Sequence, residues 1–103
     1  MSHYLISYDI SNDRLRTKLA NLLLQHGCER LQRSVFLAAH MALEDLNRLK
    51  EAVYSLFLQY TDQLIRPSVL CFPLKNRRTA QLVWAGDVGE LQKKLEEVYF
   101  LIV

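Results

Sequence analysis

The hydrophobic pattern of the chain changes period several times, and the order of these changes restricts the fold more than any other feature. Tyr4–Tyr8 is a short apolar run rich in aromatic and β-branched residues, and Asp9 follows it. Such a run predicts a buried strand that ends at about Tyr8 or Ile10. The strand would therefore present a carboxylate where it leaves the sheet.

An amphipathic helix is predicted directly after this strand. Ser11 and Asn12 both suit the N-cap of a helix, and Gly27 suits its C-terminal stop. One face of the segment between them carries leucines at helical spacing, namely Leu15, Leu19, Leu22 and Leu23. Another face carries polar residues, namely Arg14, Lys18, Asn21 and Gln25.

The middle of the chain repeats this alternation. Residues 28–40 have extended-type composition, which predicts two short strands or one bent strand, with a turn near Arg33-Ser34. The next segment predicts a helix of about four turns, because apolar residues follow the 3.6-residue period at Leu46, Leu49, Val53, Leu56, Phe57 and Tyr60. After Asp62 the chain becomes extended again, and Pro67 limits pairing, so the last strand is expected over 68–72.

Residues 80–103 are expected to form a C-terminal appendage. The chain ends in six consecutive apolar residues, 98–103, which would favour aggregation if they stayed unpaired. We expect them to add an extra strand at a dimer interface. The whole order predicts an α+β fold, a ferredoxin-like βαββαβ sandwich forming one domain over residues 1–103 and a homodimer.

Composition fits a single globular domain in a reducing compartment. The chain has 103 residues, of which half are apolar and 23% are charged, so a disordered or multidomain protein is excluded. Its net charge of +2 permits a local nucleic-acid-binding patch without requiring one. Cys28 and Cys71 form no CxxC motif, and no leader or membrane-spanning run is expected. A cytoplasmic protein with reduced thiols is the simplest interpretation.

Asp9 is the most informative candidate for chemistry. One interpretation is a turn or helix-capping aspartate. The other is a metal ligand, since Mg²⁺ commonly takes one or two protein carboxylates together with waters and substrate phosphates. A two-fold dimer could supply a second copy of the carboxylate. The nearby basic residues are either a solvated helix face or phosphate-binding groups, and the same alternatives apply to the basic loop at Lys75, Arg77 and Arg78.

Three motifs together resemble a known family. They are Tyr8-Asp9-Ile10-Ser11, then Arg14-x-Arg16-x-Lys18-Leu19-Ala20, then Gln32-Arg33-Ser34-Val35-Phe36. They resemble the small CRISPR-associated Cas2 proteins, which partner the Cas1 integrase in spacer acquisition. The resemblance covers roughly residues 3–75. It departs at Leu37-Ala38, where many members carry an acidic residue, and at Met41-Ala42, where the usual Ser or Thr helix cap is absent.

The resemblance implies a homodimer with a metal ion, Mg²⁺ or alternatively Mn²⁺, held between the subunits by Asp9. The catalytic residues it implies are Tyr8, Asp9, Arg16, Ser34 and Phe36. The basic clusters of the sequence supply the candidate nucleic-acid-binding residues, namely Arg14, Arg16, Lys18, Arg33, Arg77 and Arg78.

The resemblance leaves several functions open. The first is CRISPR adaptation with metal-dependent endonuclease activity on single-stranded RNA or double-stranded DNA. The alternative is a non-catalytic DNA-binding scaffold that bridges integrase dimers. A toxin-like ribonuclease of the VapD kind, which shares the fold and the small size, is a third interpretation.

Overall fold

A computed structural model describes residues 2–60 and 67–75 of the chain. The elements in chain order are β1 (Ser2–Asp9), α1 (Asp13–Gln25), β2 (Glu29–Gln32), β3 (Val35–Met41), α2 (Leu43–Leu58) and β4 (Ser68–Leu74). The four strands form one antiparallel sheet in the order β2-β3-β1-β4. This confirms the α+β, ferredoxin-like prediction. The predictions for residues 80–103, including the extra strand, lie outside the described residues.

Local capping chemistry sets the limits of α1. Asn12 has extended backbone angles, and its side-chain oxygen accepts a hydrogen bond of 2.9 Å from the Leu15 amide. Of the two predicted caps, Asn12 therefore fills the position. Beyond the helix, Gly27 has a φ of +84°, a backbone conformation that glycine adopts more readily than residues with a side chain. Because Asn12 caps the helix, Asp9 is the last residue of β1 and not a helix cap.

The two helices and one sheet face enclose a single core. Leu15, Leu19 and Leu23 of α1 are completely buried, as is Phe36 of β3. The second helix begins after Ala42 without a side-chain cap, in agreement with its sequence, and it buries Leu49. The core lies between the helices and the alternate residues of β1 that include Ile6 and Tyr8.

The turn between β2 and β3 lies where it was predicted, whereas β4 extends beyond its predicted end. The β2–β3 turn falls at Arg33-Ser34, as expected. The last strand continues through Pro73 to Leu74, two residues beyond the predicted end at Phe72. Pro73 is tolerated because β4 lies at the edge of the described sheet, where a strand needs partners on one side only.

Both cysteines are free thiols, as predicted. Burial, with a smaller contribution from Cys71, raises the pKa of the Cys28 thiol to about 11. Burial also raises the pKa of Cys71. Both groups therefore stay protonated at neutral pH, which argues against a nucleophilic role. Among the described residues, neither helix has the length and apolarity needed to cross a bilayer.

Candidate active site

Asp9 is exposed at the end of β1, on the sheet face opposite the helices. Its neighbour Tyr8 points into the core, and successive side chains of a strand alternate between faces. Asp9 is paired with Ser68, the first residue of β4, so their side chains share this face. The carboxylate is thus fixed to a strand with partners on both sides, yet remains accessible.

Tyr8 holds the β2–β3 turn beside Asp9. Its backbone N–H donates to the Ser34 carbonyl at 3.1 Å, and its hydroxyl donates to the Arg33 carbonyl at 3.1 Å. Because Tyr8 is 5% exposed, the phenol is enclosed and fully committed to this structural contact. The turn and the strand end are therefore one rigid unit. The structure thus places Tyr8, predicted as catalytic, in the core, where its hydroxyl supports the turn beside Asp9.

Arg30 and Phe36 complete the support of the turn. The Arg30 guanidinium donates to the Arg33 carbonyl at 2.8 Å and to the Tyr8 hydroxyl at 3.4 Å. It also lies 5.2 Å from the centre of the Phe36 ring, a cation–π distance. The Phe36 ring stacks on that of Tyr8, with centroids 6.1 Å apart, and is completely buried. Phe36, also predicted as catalytic, is thus placed in the core beneath the turn.

Arg16 projects from the first turns of α1 toward the strand end. Its Nη1 donates to the Ile10 carbonyl at 3.2 Å, and its Nη2 is paired with the Asp13 carboxylate. Ile10 directly follows Asp9, so the guanidinium is anchored one residue from the carboxylate along the backbone. This anchors a positive charge at the end of the sheet where the exposed acid lies.

The other predicted basic residues are distributed less compactly. Arg14 and Arg33 are exposed. The Lys18 ammonium lies 5.6 Å from the centre of the Tyr60 ring, which follows α2, so it is directed toward that helix. Arg77 and Arg78 lie outside the described residues. The structure thus brings Arg16, the Arg33-Ser34 turn and Asp9 to one end of the sheet, and Lys18 does not join them.

The sheet face that carries Asp9 also carries exposed apolar residues. Leu70 is paired with Ser7, and Phe72 is paired with Leu5, so both side chains are on this face. They are 56% and 48% exposed, respectively. An apolar surface that continues to the acidic residue is the kind of surface that protein interfaces use.

The donor set at Asp9 suits a hard divalent cation. Mg²⁺ prefers oxygen ligands, keeps several waters, and is commonly held by one or two carboxylates and substrate phosphates. Within residues 2–60 and 67–75, no three His, Cys, Asp or Glu side chains form a metal-binding group. One exposed carboxylate at Asp9 fits an ion whose other ligands are waters, substrate oxygens or the carboxylate of a second chain.

Sequence reasoning did not single out three participants in this arrangement. They are Arg30 as the support of the turn, Asp13 as the partner of Arg16, and Ser68 as the neighbour of Asp9. Arg30 could not be placed from the turn alone: a regular hairpin with its turn at Arg33-Ser34 would pair residue 31 with Phe36, and an irregularity in β2 between Arg30 and Gln32 brings Arg30 opposite Phe36 instead. Ser68 required the β1–β4 pairing, which no local pattern specifies.

A family model describing the CRISPR associated protein Cas2 matches residues 1–81. The chain belongs to the Cas2 family. Two curated relatives match over shorter stretches. The CRISPR-associated endoribonuclease Cas2 of Aeropyrum pernix is 55% identical over 38 residues, which are 37% of this chain and 41% of the relative. The CRISPR-associated endoribonuclease Cas2 2 of Pyrobaculum aerophilum is 47% identical over 34 residues, 33% of this chain and 37% of the relative.

These matches span less than half the length of the curated relatives. Solved structures match over more of the chain. A hypothetical protein TT1823 from Thermus thermophilus is 30% identical, with a TM-score of 0.61, over 73% of this chain and 83% of its own. A chain of a partial Cas6-RT-Cas1–Cas2 complex is 23% identical, with a TM-score of 0.69, over 88% and 91% of the two chains. At that identity the second match shows the fold only.

Proposed function

We propose that this protein acts in CRISPR adaptation and is a metal-dependent endonuclease that cleaves single-stranded RNA or double-stranded DNA. The observation that supports the proposal most directly is the placement of an exposed carboxylate, Asp9, and an anchored guanidinium, Arg16, at the same end of the sheet. Metal-dependent phosphodiester cleavage uses both charges: a carboxylate to hold the metal cation, and a guanidinium to bind the phosphate. The two relatives named endoribonucleases support nuclease chemistry.

Each residue has a defined task in this proposal. Asp9 of each of two chains would hold Mg²⁺ or Mn²⁺, which supplies Lewis acidity at the phosphate when it is bound. Arg16 would bind a phosphate oxygen, with Arg14 and Arg33 along the nucleic-acid backbone. Ser34 would border the site at the turn. Tyr8 and Phe36 would fix that turn from within the core.

A homodimer is part of the proposal, because one chain contributes a single carboxylate at Asp9. The exposed Leu70 and Phe72 lie on the face that carries Asp9, so burying them against a second copy would also bring two carboxylates toward each other. Hydrophobic burial would thus drive assembly of the site.

The direct test is cleavage of both nucleic acids by the wild type and by Asp9→Ala, with Mg²⁺, Mn²⁺ or EDTA. Asp9 is exposed, so its removal should leave the fold intact. Asp45→Ala is a matched control, because it also removes one exposed carboxylate. Asp45 lies in the first turn of α2, which follows the end of β3 that is far from Asp9. We expect cleavage that EDTA abolishes, that Asp9→Ala lacks and that Asp45→Ala retains. Cleavage retained by Asp9→Ala would refute the assignment.

The second candidate is a non-catalytic DNA scaffold that bridges integrase dimers, Cas1 being the partner. The exposed Arg14 and Arg33 favour it, because backbone contacts by arginine need no reacting group. The proposed binding residues Arg77 and Arg78 provide its test. Charge reversal there should weaken DNA binding, and that binding should fall as salt rises. If the affinity for DNA did not depend on salt and were unchanged by these substitutions, Arg77 and Arg78 would not form a DNA-binding patch.

A further inference from the structure

The Arg16 guanidinium already has an anionic partner, the carboxylate of Asp13. The Arg16 side chain is 31% exposed and that of Asp13 is 87% exposed, so the pair lies at the rim where a nucleic acid would approach. The second contact of Arg16, with the Ile10 carbonyl, uses the other terminal nitrogen and keeps the group beside the strand end.

We propose that Asp13 is an internal competitor for the phosphate at Arg16, and so sets the affinity of the site for nucleic acid. Arginine binds phosphate best through two nitrogens of its planar fork. In this structure the carboxylate occupies Nη2, so an incoming phosphodiester must displace it. The freed carboxylate would also repel the phosphate. This inference rests on the proposed function and adds to it a residue that regulates the same site.

The size of the effect follows from the exposure of the pair. Exposed ion pairs are weak, and an exposed carboxylate is readily solvated when released. Asp13 therefore cannot prevent binding, but it can weaken it. We expect Asp13→Asn, which keeps the shape and removes the charge, to tighten binding of single-stranded RNA about two- to fivefold. The gain should shrink as salt rises, because screening weakens both the ion pair and the repulsion.

The chain contains a matched control in Asp45. It also lies in the first turn of its helix, and its carboxylate is 3.6 Å from an arginine three residues later, Arg48. Asp45→Asn changes net charge by the same amount. The first turn of α2 follows the far end of β3, a strand of seven residues. That strand spans about 20 Å, well beyond the screening length of about 10 Å at moderate salt.

The experiment is fluorescence anisotropy with fluorescein-labelled single-stranded RNA, in EDTA to prevent cleavage, at several salt concentrations. The chains compared are the wild type, Asp13→Asn, Asp45→Asn, Arg16→Gln and the Asp13→Asn, Arg16→Gln double variant. Circular dichroism confirms that each is folded, and Asp13→Ser replaces Asp13→Asn if that variant is not. We expect tighter binding by Asp13→Asn, no change in Asp45→Asn, and a smaller gain from Asp13→Asn when Arg16 is replaced, because only the repulsion between Asp13 and the phosphate is then left to remove.

Two different failures are distinguishable. If Arg16→Gln weakens binding but Asp13→Asn binds like the wild type, or like Asp45→Asn, the competitor role is overturned and the proposed function stands. A gain that is as large without Arg16 as with it overturns the competitor role equally, since the effect would then come from charge alone and not from competition for Arg16. The same titration with labelled double-stranded DNA covers the second proposed substrate: if the wild type binds neither nucleic acid, the proposed function fails and the competitor role fails with it. If Arg16→Gln binds as well as the wild type, the phosphate-binding role of Arg16 fails, and the competitor role with it.

Discussion

The Tyr8 hydroxyl offers a test of how the turn beside Asp9 is held. Replacing Tyr8 with phenylalanine removes its donation to the Arg33 carbonyl at 3.1 Å and its acceptance from Arg30 at 3.4 Å. The ring and its stacking on Phe36 are retained. The substitution therefore isolates the hydroxyl from the packing.

The expected change in the free energy of unfolding depends on which hydrogen bonds Arg33 and Arg30 retain in Tyr8→Phe. The Arg33 carbonyl retains the Arg30 guanidinium at 2.8 Å, so it is not left unsatisfied. Arg30 is exposed and can bind water in place of the hydroxyl. The longer contact, near the limit of hydrogen-bond geometry, adds little. The loss is thus about one ordinary hydrogen bond, roughly 0.5–1.5 kcal/mol in the free energy of unfolding.

The assay is chemical denaturation of the wild type, Tyr8→Phe and Tyr54→Phe, monitored by circular dichroism at one protein concentration. Tyr54 is 60% exposed, so removing its hydroxyl should change the free energy of unfolding by less than about 0.5 kcal/mol. If Tyr8→Phe were as stable as this control, the hydroxyl would not hold the turn. If it were more than about 3 kcal/mol less stable, the loss would exceed one hydrogen bond and the reasoning would fail.

Three further substitutions or conditions test the fold. Burial, and then the nearby His40, lower the pKa of His3 below its usual 6.5. The unfolded chain therefore binds a proton that the folded chain excludes, so the free energy of unfolding should fall as the pH drops below about 6.5. Urea unfolding followed across pH measures this fall, which should be less steep in His3→Gln. Asn12→Ala should cost about 1 kcal/mol in the same assay because it removes the cap of α1. Gly27→Ala should also cost about 1 kcal/mol, because φ at this position is +84°, which strains an alanine even though its Cβ would meet nothing within 4 Å. An unchanged free energy of unfolding would show that alanine adopts this φ without strain.

Local chemistry made much of the fold predictable. The Asn12 cap, the Gly27 stop and the Arg33-Ser34 turn depend on neighbours within a few residues, which sequence patterns record directly. The order of strands and helices was sufficient to predict the ferredoxin-like sandwich. The end of β4 was harder, because Pro73 is acceptable only at a sheet edge, and which strand is at the edge is a property of the whole fold.

The site was predictable in its main acid and less so in its supports. Asp9 could be identified from its position at the end of an apolar run. The buried positions of Tyr8 and Phe36 could not be predicted, because they depend on residues that are distant in sequence. Arg30 is 22 residues from the Tyr8 hydroxyl that it contacts, so only the register of β1, β2 and β3 brings the two together.

Mn²⁺ binding by the purified protein, followed by electron paramagnetic resonance, tests most directly whether Asp9 holds a metal ion between two chains. The account predicts one ion per two chains in the wild type, lost in Asp9→Asn and retained in Asp45→Asn, with all three proteins eluting as dimers. Equal Mn²⁺ binding by the wild type and Asp9→Asn would contradict the account, because the carboxylate at the end of β1 would then not hold the metal.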